Sequence, residues 1–165
     1  MKRRHLILAA VVVAGVAVAW YLFRPELLFI NKTVSEEFPG AKVASTSPQP
    51  AVLTMGRFYS LAHETKGIAT LYRLSDGKRV LRLTEFETSN GPDVRVYLVA
   101  APDAKDNETV QKAGFIDLGA MKGNKGDQNY EISAEIDLNK HRSVSIWCRR
   151  FSVNFGAAPL SQVQG

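Results

Sequence analysis

Cys148 is the only cysteine of the chain, and two arginines, Arg149 and Arg150, follow it directly. Nearby cations favour the thiolate over the thiol, and the thiolate is the form that is nucleophilic, oxidisable and able to bind metals. The run therefore predicts a redox-active thiol at Cys148, with Arg149 and Arg150 stabilising its negative charge. The alternative is that Cys148 is a small buried hydrophobic residue, which is the ordinary role of an unpaired cysteine.

Two histidines, His63 and His141, could act together with this thiol. Either could serve as its base or as a second ligand to a haem or copper ion. Their spacing matches no metal-binding motif, so no metal site is predicted, and a structural role for each imidazole is the alternative. The single cysteine excludes an internal disulfide, a zinc ribbon and a CxxC redox pair.

The stretch Gly119–Gly126 is rich in glycine, but it is not a phosphate-binding loop. It lacks the GKS or GKT ending of such a loop and the strand-to-helix setting of a dinucleotide fingerprint. We interpret it as a mobile loop.

Short strands must position these side chains. From about Ala51 to Leu160, runs of β-branched and aromatic residues alternate with Gly, Asn, Asp and Pro, which is typical of successive strands and turns. The pattern predicts an all-β fold, a single β-sandwich or barrel-like domain of about seven to eight strands. Residues 109–113 are expected to form at most one helical turn. The predicted strands are 53–61, 67–74, 79–87, 94–100, 114–119, 129–133 and 143–155, the last of which could be two.

The run around the cysteine changes its apolar face. Residues 144, 146 and 148 share one parity, whereas residues 151, 153 and 155 share the other. Keeping both sets in one core requires a bulge or bend near Arg149 and Arg150. A tight turn between two strands would give the same change of parity.

The N-terminal segment is long and apolar enough to be a membrane anchor. Residues 6–23 are uncharged and largely apolar, about 27 Å of helix against a hydrocarbon core of roughly 30 Å. Basic residues at positions 2–4 precede the run, and Trp20 and Tyr21 lie near its other end, so the positive-inside rule predicts a cytoplasmic N-terminus. The alternative is a signal peptide cleaved after Ala19.

The predicted organisation is a basic cytoplasmic tail (1–5), a transmembrane helix (6–23), a stalk (24–50), an extracytoplasmic β domain (51–160) and a C-terminal tail (161–165).

The net charge of +5 suggests a polyanion as partner, but beyond the anchor the chain has 18 basic and 16 acidic residues. Because these charges are scattered, nucleic-acid binding is not expected.

Three segments, NGPDVRVYL, KGNKGDQNY and SIWCRRF, lie within a longer stretch that resembles the DM-thirteen electron-transfer domain family over about residues 51–160. The resemblance implies a sandwich-like β fold with a characteristic single cysteine, here Cys148. It also implies that this cysteine acts in electron transfer, as a bare thiol or as a ligand to a group such as haem. Of the two histidines, His63 is the candidate for a further ligand. A short anchored chain of this kind resembles bacterial forms, in which the domain would lie in the cell envelope or periplasm.

Two hypotheses follow from these observations. In the first, the protein is a membrane-tethered extracytoplasmic module that uses Cys148 for electron transfer or thiol redox chemistry with an unidentified envelope partner. In the second, it is a binding or scaffold domain for an envelope polysaccharide, lipid or protein, with Cys148 in its core. A self-sufficient enzyme is less favoured than either, because the sequence shows no convergent set of titratable residues.

Overall fold

The computed structural model describes residues 2–28, 30–39 and 49–162. Within them, one N-terminal helix precedes a domain of two β-sheets with eleven strands. The helices are α1 (Lys2–Phe23), a 3₁₀ turn (Pro25–Leu28) and α2 (Asn107–Ala113). The strands are β1 (Thr33–Ser35), β2 (Ala51–Arg57), β3 (Tyr59–Ser60), β4 (Lys66–Arg73), β5 (Arg79–Glu87), β6 (Val94–Val99), β7 (Phe115–Ala120), β8 (Lys125–Ile132), β9 (Ser143–Cys148), β10 (Val153–Pro159) and β11 (Ser161–Gln162).

The prediction of an all-β sandwich-like domain is confirmed. One sheet has the strand order β1-β8-β5-β4-β2-β11 and the other the order β3-β10-β9-β6-β7. Every predicted strand overlaps an observed one, and three of the additional strands, β1, β3 and β11, are only two or three residues long. Such short edge pairings carry almost no periodic signal, which is why the sequence did not show them.

The main core lies between the two sheets, and a smaller one lies under α2. Strand β6 contributes side chains to both cores. Val96 and Leu98 belong to the main core, whereas Tyr97 and Val99 belong to the smaller one. The continuous apolar run of β6 is therefore explained by its central position between β9 and β7, with both faces covered.

Helix α2 is longer than the single turn that the sequence predicted. It has seven residues, and Asp106 caps it by accepting a hydrogen bond from the Thr109 amide at 2.7 Å. Its Val110 is fully buried in the smaller core. This cap and this one apolar contact stabilise a helix too short to show a helical period.

A hairpin turn, not a bulge, explains the change of apolar face after Cys148. Strand β9 ends at Cys148, residues 149–152 reverse the chain, and Val153 pairs with Cys148 at the start of β10. Ser152 takes a positive φ of 53° in this turn. The bulge expected near Arg149 and Arg150 is therefore wrong, and the irregularity in this strand pair falls between Asn154 and Gly156.

Part of the predicted stalk is bound to the domain. We call residues 30–39 the connector: its strand β1 pairs in parallel with β8, and the Glu36 carboxylate accepts bonds from the Lys122 ammonium at 2.8 Å and the Asn129 amide at 2.7 Å. The Arg82 side chain, 11% exposed, donates to the Glu36 carbonyl and to Asp127. Residues 40–48 of the predicted stalk lie outside the described residues.

The loop interpreted as mobile holds the start of the connector. Asn124 is buried, accepts a bond from the Lys32 amide at 2.7 Å and donates to the Asn31 side chain at 2.8 Å. A Cβ at Gly123 would clash with the Lys32 carbonyl, and one at Gly126, where φ is +91°, would clash with the Val34 carbonyl. The glycines of this loop thus permit the close approach of two backbones, and the interpretation as a mobile loop is wrong.

Helix α1 is exposed along its length and apolar. The segment Arg3–Phe23 has a mean hydropathy of 2.6, and it is the one helix in the described residues long and apolar enough to cross a membrane. A signal sequence near an N-terminus has the same length and composition.

Candidate functional site

Cys148 lies at the last position of β9, in the main core. Its neighbours across the sheet are Val94 on β6 and Val153 on β10. The residue is fully buried, and no hydrogen bond to its thiol is found among the described residues. In this conformation the thiol is therefore protected from solvent by apolar side chains.

A pocket of about 290 Å³ lies between this end of the domain and the end of α1. Its lining is mostly apolar and includes both Cys148 and His63. Because Cys148 has no solvent-exposed surface, the cysteine lies behind the wall of the pocket and not on its open surface. Its aromatic and aliphatic lining consists of Phe23, Pro25, Pro92, Phe151, Val153 and Phe155.

His63 reaches this pocket from the loop after β3. Its backbone amide donates to the Phe155 carbonyl at 3.1 Å, and its ring packs on the Phe155 ring with centroids 3.8 Å apart. Burial lowers the pKa of His63 below its ordinary value of 6.5 because the charged imidazolium loses its water. At neutral pH the ring is therefore neutral, with one donor and one acceptor nitrogen.

The two arginines contact other groups. The Arg149 Nε bonds to an Asp93 carboxylate oxygen at 2.7 Å, and its side chain is 57% exposed. The Arg150 guanidinium donates to the Tyr21 carbonyl at 3.3 Å and lies 5.1 Å from the centre of the Tyr21 ring. Both guanidinium groups therefore have partners other than the thiol. Stabilisation of a thiolate by Arg149 and Arg150 stays a prediction.

His141 lies away from Cys148 in another part of the domain. It follows the turn that starts at Asp137, whose carbonyl lies 2.9 Å from the His141 Nδ1, and it lines a different pocket together with Arg73 and Arg142. The structure thus brings His63, but not His141, to the pocket that Cys148 lines.

A family model matches the part of the chain that contains these residues. The family model described as Electron transfer DM13 matches residues 57–160, which is more than half of the chain and includes His63 and Cys148. The chain belongs to the DM13 electron-transfer family. Membership supports a general role in electron transfer. Searches of curated proteins and of solved structures gave no significant match.

Haem bound through Cys148 does not fit this DM13 domain as it is folded. The Cys148 side chain has no exposed surface at which an iron atom could bind its sulfur. The pocket of about 290 Å³ is also at the lower limit of the roughly 300–1,000 Å³ found for sites of drug-sized ligands, and a haem is a large member of that class.

The sequence did not indicate that the end of α1 belongs to the DM13 pocket. Phe23 stacks on Phe151 with ring centroids 5.7 Å apart and an interplanar angle of 27°. Phe151 was predicted to share a buried face with Val153 and Phe155, yet it is 46% exposed and contacts the helix. An exposed aromatic residue in a turn next to the cysteine was the available signal, but its partner is 128 residues away.

Proposed function

We propose that this DM13 protein is a membrane-tethered electron-transfer module that works at the pocket between α1 and the β domain. In this proposal α1 spans the bilayer, the basic tail is cytoplasmic and the domain lies outside. The support for tethering is the exposed, apolar α1 and the basic residues that precede its apolar run. The support for electron transfer is the family.

The observation that carries the proposal is the shared pocket. The His63 ring lines this apolar cavity, and the Cys148 thiol lies directly behind its wall. Apolar surroundings lower the local dielectric and strengthen interactions between a charge and its neighbours. A thiol and an imidazole at one cavity, in a domain of an electron-transfer family, favour this cavity as the site of electron transfer.

The step proposed for Cys148 is a one-electron oxidation. The thiol loses one electron to a one-electron acceptor in the envelope and one proton, leaving a thiyl radical. His63 is the base that lines the same pocket, and its neutral ring can accept the proton. The electron can leave through the pocket wall, because electron tunnelling does not require that the donor atom be exposed.

Voltammetry of the full-length protein in a lipid film tests the role of the thiol. We expect a redox couple in the wild-type protein that is lost in Cys148→Ala, because the variant removes the sulfur and leaves an apolar side chain in an apolar site. The control is His141→Gln, which changes a histidine outside the pocket and should retain the couple. A wild-type protein without a couple, or a couple that persists in Cys148→Ala, would contradict the proposed chemistry.

Carbonate extraction of membranes that contain the full-length protein tests the tethering. We expect the protein to stay in the membrane pellet with an intact mass, because α1 buries its apolar surface in the bilayer. Protease added from outside should digest the domain and leave the basic tail protected. A soluble product that begins at Trp20 would instead identify α1 as a cleaved signal sequence.

A second candidate function is a binding module in which Cys148 is only part of the core. The observation that favours it is the complete burial of the thiol without a hydrogen bond. Under this hypothesis the Cys148→Ala variant folds and retains full cellular function. Loss of function in a folded Cys148→Ala protein favours the redox role.

A further inference from the structure

The pocket that Cys148 and His63 line is placed at the end of the apolar helix. Phe23, the last residue of α1, forms part of the wall, and the two residues that follow it, Arg24 and Pro25, form more of it. If α1 spans the bilayer, as the proposed function states, the pocket lies at the membrane surface on the side of the domain. A compound dissolved in the bilayer can then reach it without crossing water.

The walls suit a flat, apolar ring. Phe23, Phe151 and Phe155 all line the cavity, and Phe23 and Phe151 already stack on each other. Aromatic faces bind a further ring in offset or edge-on contact with centroids about 4.5–7 Å apart. At about 290 Å³ the cavity has room for one substituted ring and is small for a macrocycle or for two acyl chains.

The polar groups at the pocket are few and can form hydrogen bonds to a carbonyl oxygen. His63 is neutral in its apolar setting and offers one N–H donor and one acceptor nitrogen. The Asn90 amide also lines the pocket, and one of its N–H groups is bonded to the Ile30 carbonyl at 2.7 Å. Among the described residues that line the cavity, the one permanently cationic side chain, Arg24, is paired with Glu26 at 2.9 Å.

We propose that this pocket binds the ring of a lipid-soluble quinone taken from the bilayer, and that His63 forms a hydrogen bond with one of the quinone carbonyl oxygens. The inference rests on the proposed function for the position of the pocket at the membrane. A quinone fits all three observations, since it is a flat ring, has two acceptor oxygens and no charge, and carries an apolar tail that can remain in the bilayer. A phospholipid head group fits less well because the one arginine among the described lining residues is already paired with Glu26.

The experiment uses the full-length protein in phosphatidylcholine nanodiscs. A benzoquinone with one isoprenoid unit is titrated by calorimetry, with empty nanodiscs as the blank. We expect saturable binding of one quinone per protein. Val153→Trp should abolish it by filling the pocket, and His63→Gln should weaken it about 3- to 10-fold, as the loss of one hydrogen bond predicts.

Phe151→Ser and Phe115→Ser provide a matched pair of variants. Both phenylalanines are partly exposed, but Phe151 lines the pocket whereas Phe115 stacks on Tyr97 at 4.1 Å in another part of the domain. We expect weaker quinone binding in Phe151→Ser and unchanged binding in Phe115→Ser. Thermal melting of each variant establishes that it is folded, and Phe151→Ser replaces Val153→Trp if the latter does not fold.

Three outcomes would overturn the inference: no saturable binding, equal binding in the wild-type and pocket variants, or a nanodisc lipid that occupies the pocket and is not displaced by the quinone. Voltammetry separates these from a failure of the proposed function. A thiol couple without quinone binding overturns the quinone site and leaves the thiol role standing. Quinone binding without a thiol couple overturns the thiol role and leaves the quinone site.

Discussion

Alkylation of Cys148 by N-ethylmaleimide is expected to be at least about 1,000-fold slower in the folded protein than in the unfolded chain. The thiol is fully buried, so the reagent reacts only when this end of the sandwich opens. A local opening that costs about 4 kcal/mol lowers the reactive fraction about 1,000-fold. The rate is measured by mass spectrometry at one pH in buffer and in guanidinium chloride.

The turn at residues 149–152 adjoins Cys148, and a variant in it tests whether the thiol is uncovered by opening there. Phe151→Ser removes the stacking on Phe23, a contact worth about 0.5–1.5 kcal/mol, and should raise the alkylation rate up to about tenfold. Phe115→Ser is the control and should leave the rate unchanged. A wild-type rate within about tenfold of the unfolded rate would contradict a protected thiol.

Slow alkylation of Cys148 would limit the redox reactions that are open to its thiol. A protected thiol excludes any chemistry that needs a partner sulfur or peroxide to touch Cys148 in the resting fold. It leaves electron loss through the pocket wall, or chemistry in an opened state. If Phe151→Ser accelerates both alkylation and electron transfer, the opened state is the reactive one.

The sequence indicated the sandwich because its signals are local. Strand β6 was found from its continuous apolar run, and β9 from the alternation that ends at Cys148. The hairpin at 149–152 was ambiguous because a turn and a bulge change the parity of the following residues in the same way. Only the pairing of Val153 with Cys148 distinguishes them, and strand pairing cannot be derived from periodicity.

The pocket was predictable only in part. Cys148 and His63 could be selected from their chemistry, but their common cavity depends on the Phe155 ring that packs on His63. The role of the helix end could not be derived, because Phe23 and Phe151 belong to segments far apart in sequence. Arg149 and Arg150 both follow the thiol, and their bonds to Asp93 and to the Tyr21 carbonyl could not be derived from the sequence because these partners lie far away along the chain.

Substitution of Gly126 by alanine is expected to detach the connector from the sheet. A Cβ at this position would clash with the Val34 carbonyl, and the φ of +91° strains any side chain. Strand β1 must then move away from β8, and the bond from the Glu36 amide to the Asp127 carbonyl at 3.0 Å is lost. We expect a loss of about 3 kcal/mol in the free energy of unfolding, measured by denaturant titration.

Gly77→Ala is the matched control for this variant. Gly77 has a similar φ of +85°, but nothing lies within 4 Å of the place where its Cβ would be. It should cost only the backbone strain, about 1–2 kcal/mol, and leave the connector in place. Hydrogen exchange of the peptides that cover residues 30–39 separates the two: protection should fall in Gly126→Ala and persist in Gly77→Ala. Equal protection in both variants would contradict a connector held by close packing at Gly126.

Detachment of the connector should also affect the pocket and the alkylation rate of Cys148. The connector begins at Ile30, whose carbonyl accepts the bond from the pocket residue Asn90, and the helix end that forms the pocket wall lies a few residues before it. A bound connector therefore limits how far the domain can move from the end of α1. If it does so, Gly126→Ala should also speed the alkylation of Cys148, whereas Gly77→Ala should not. The same sheet contacts that hold the connector would then keep the thiol covered.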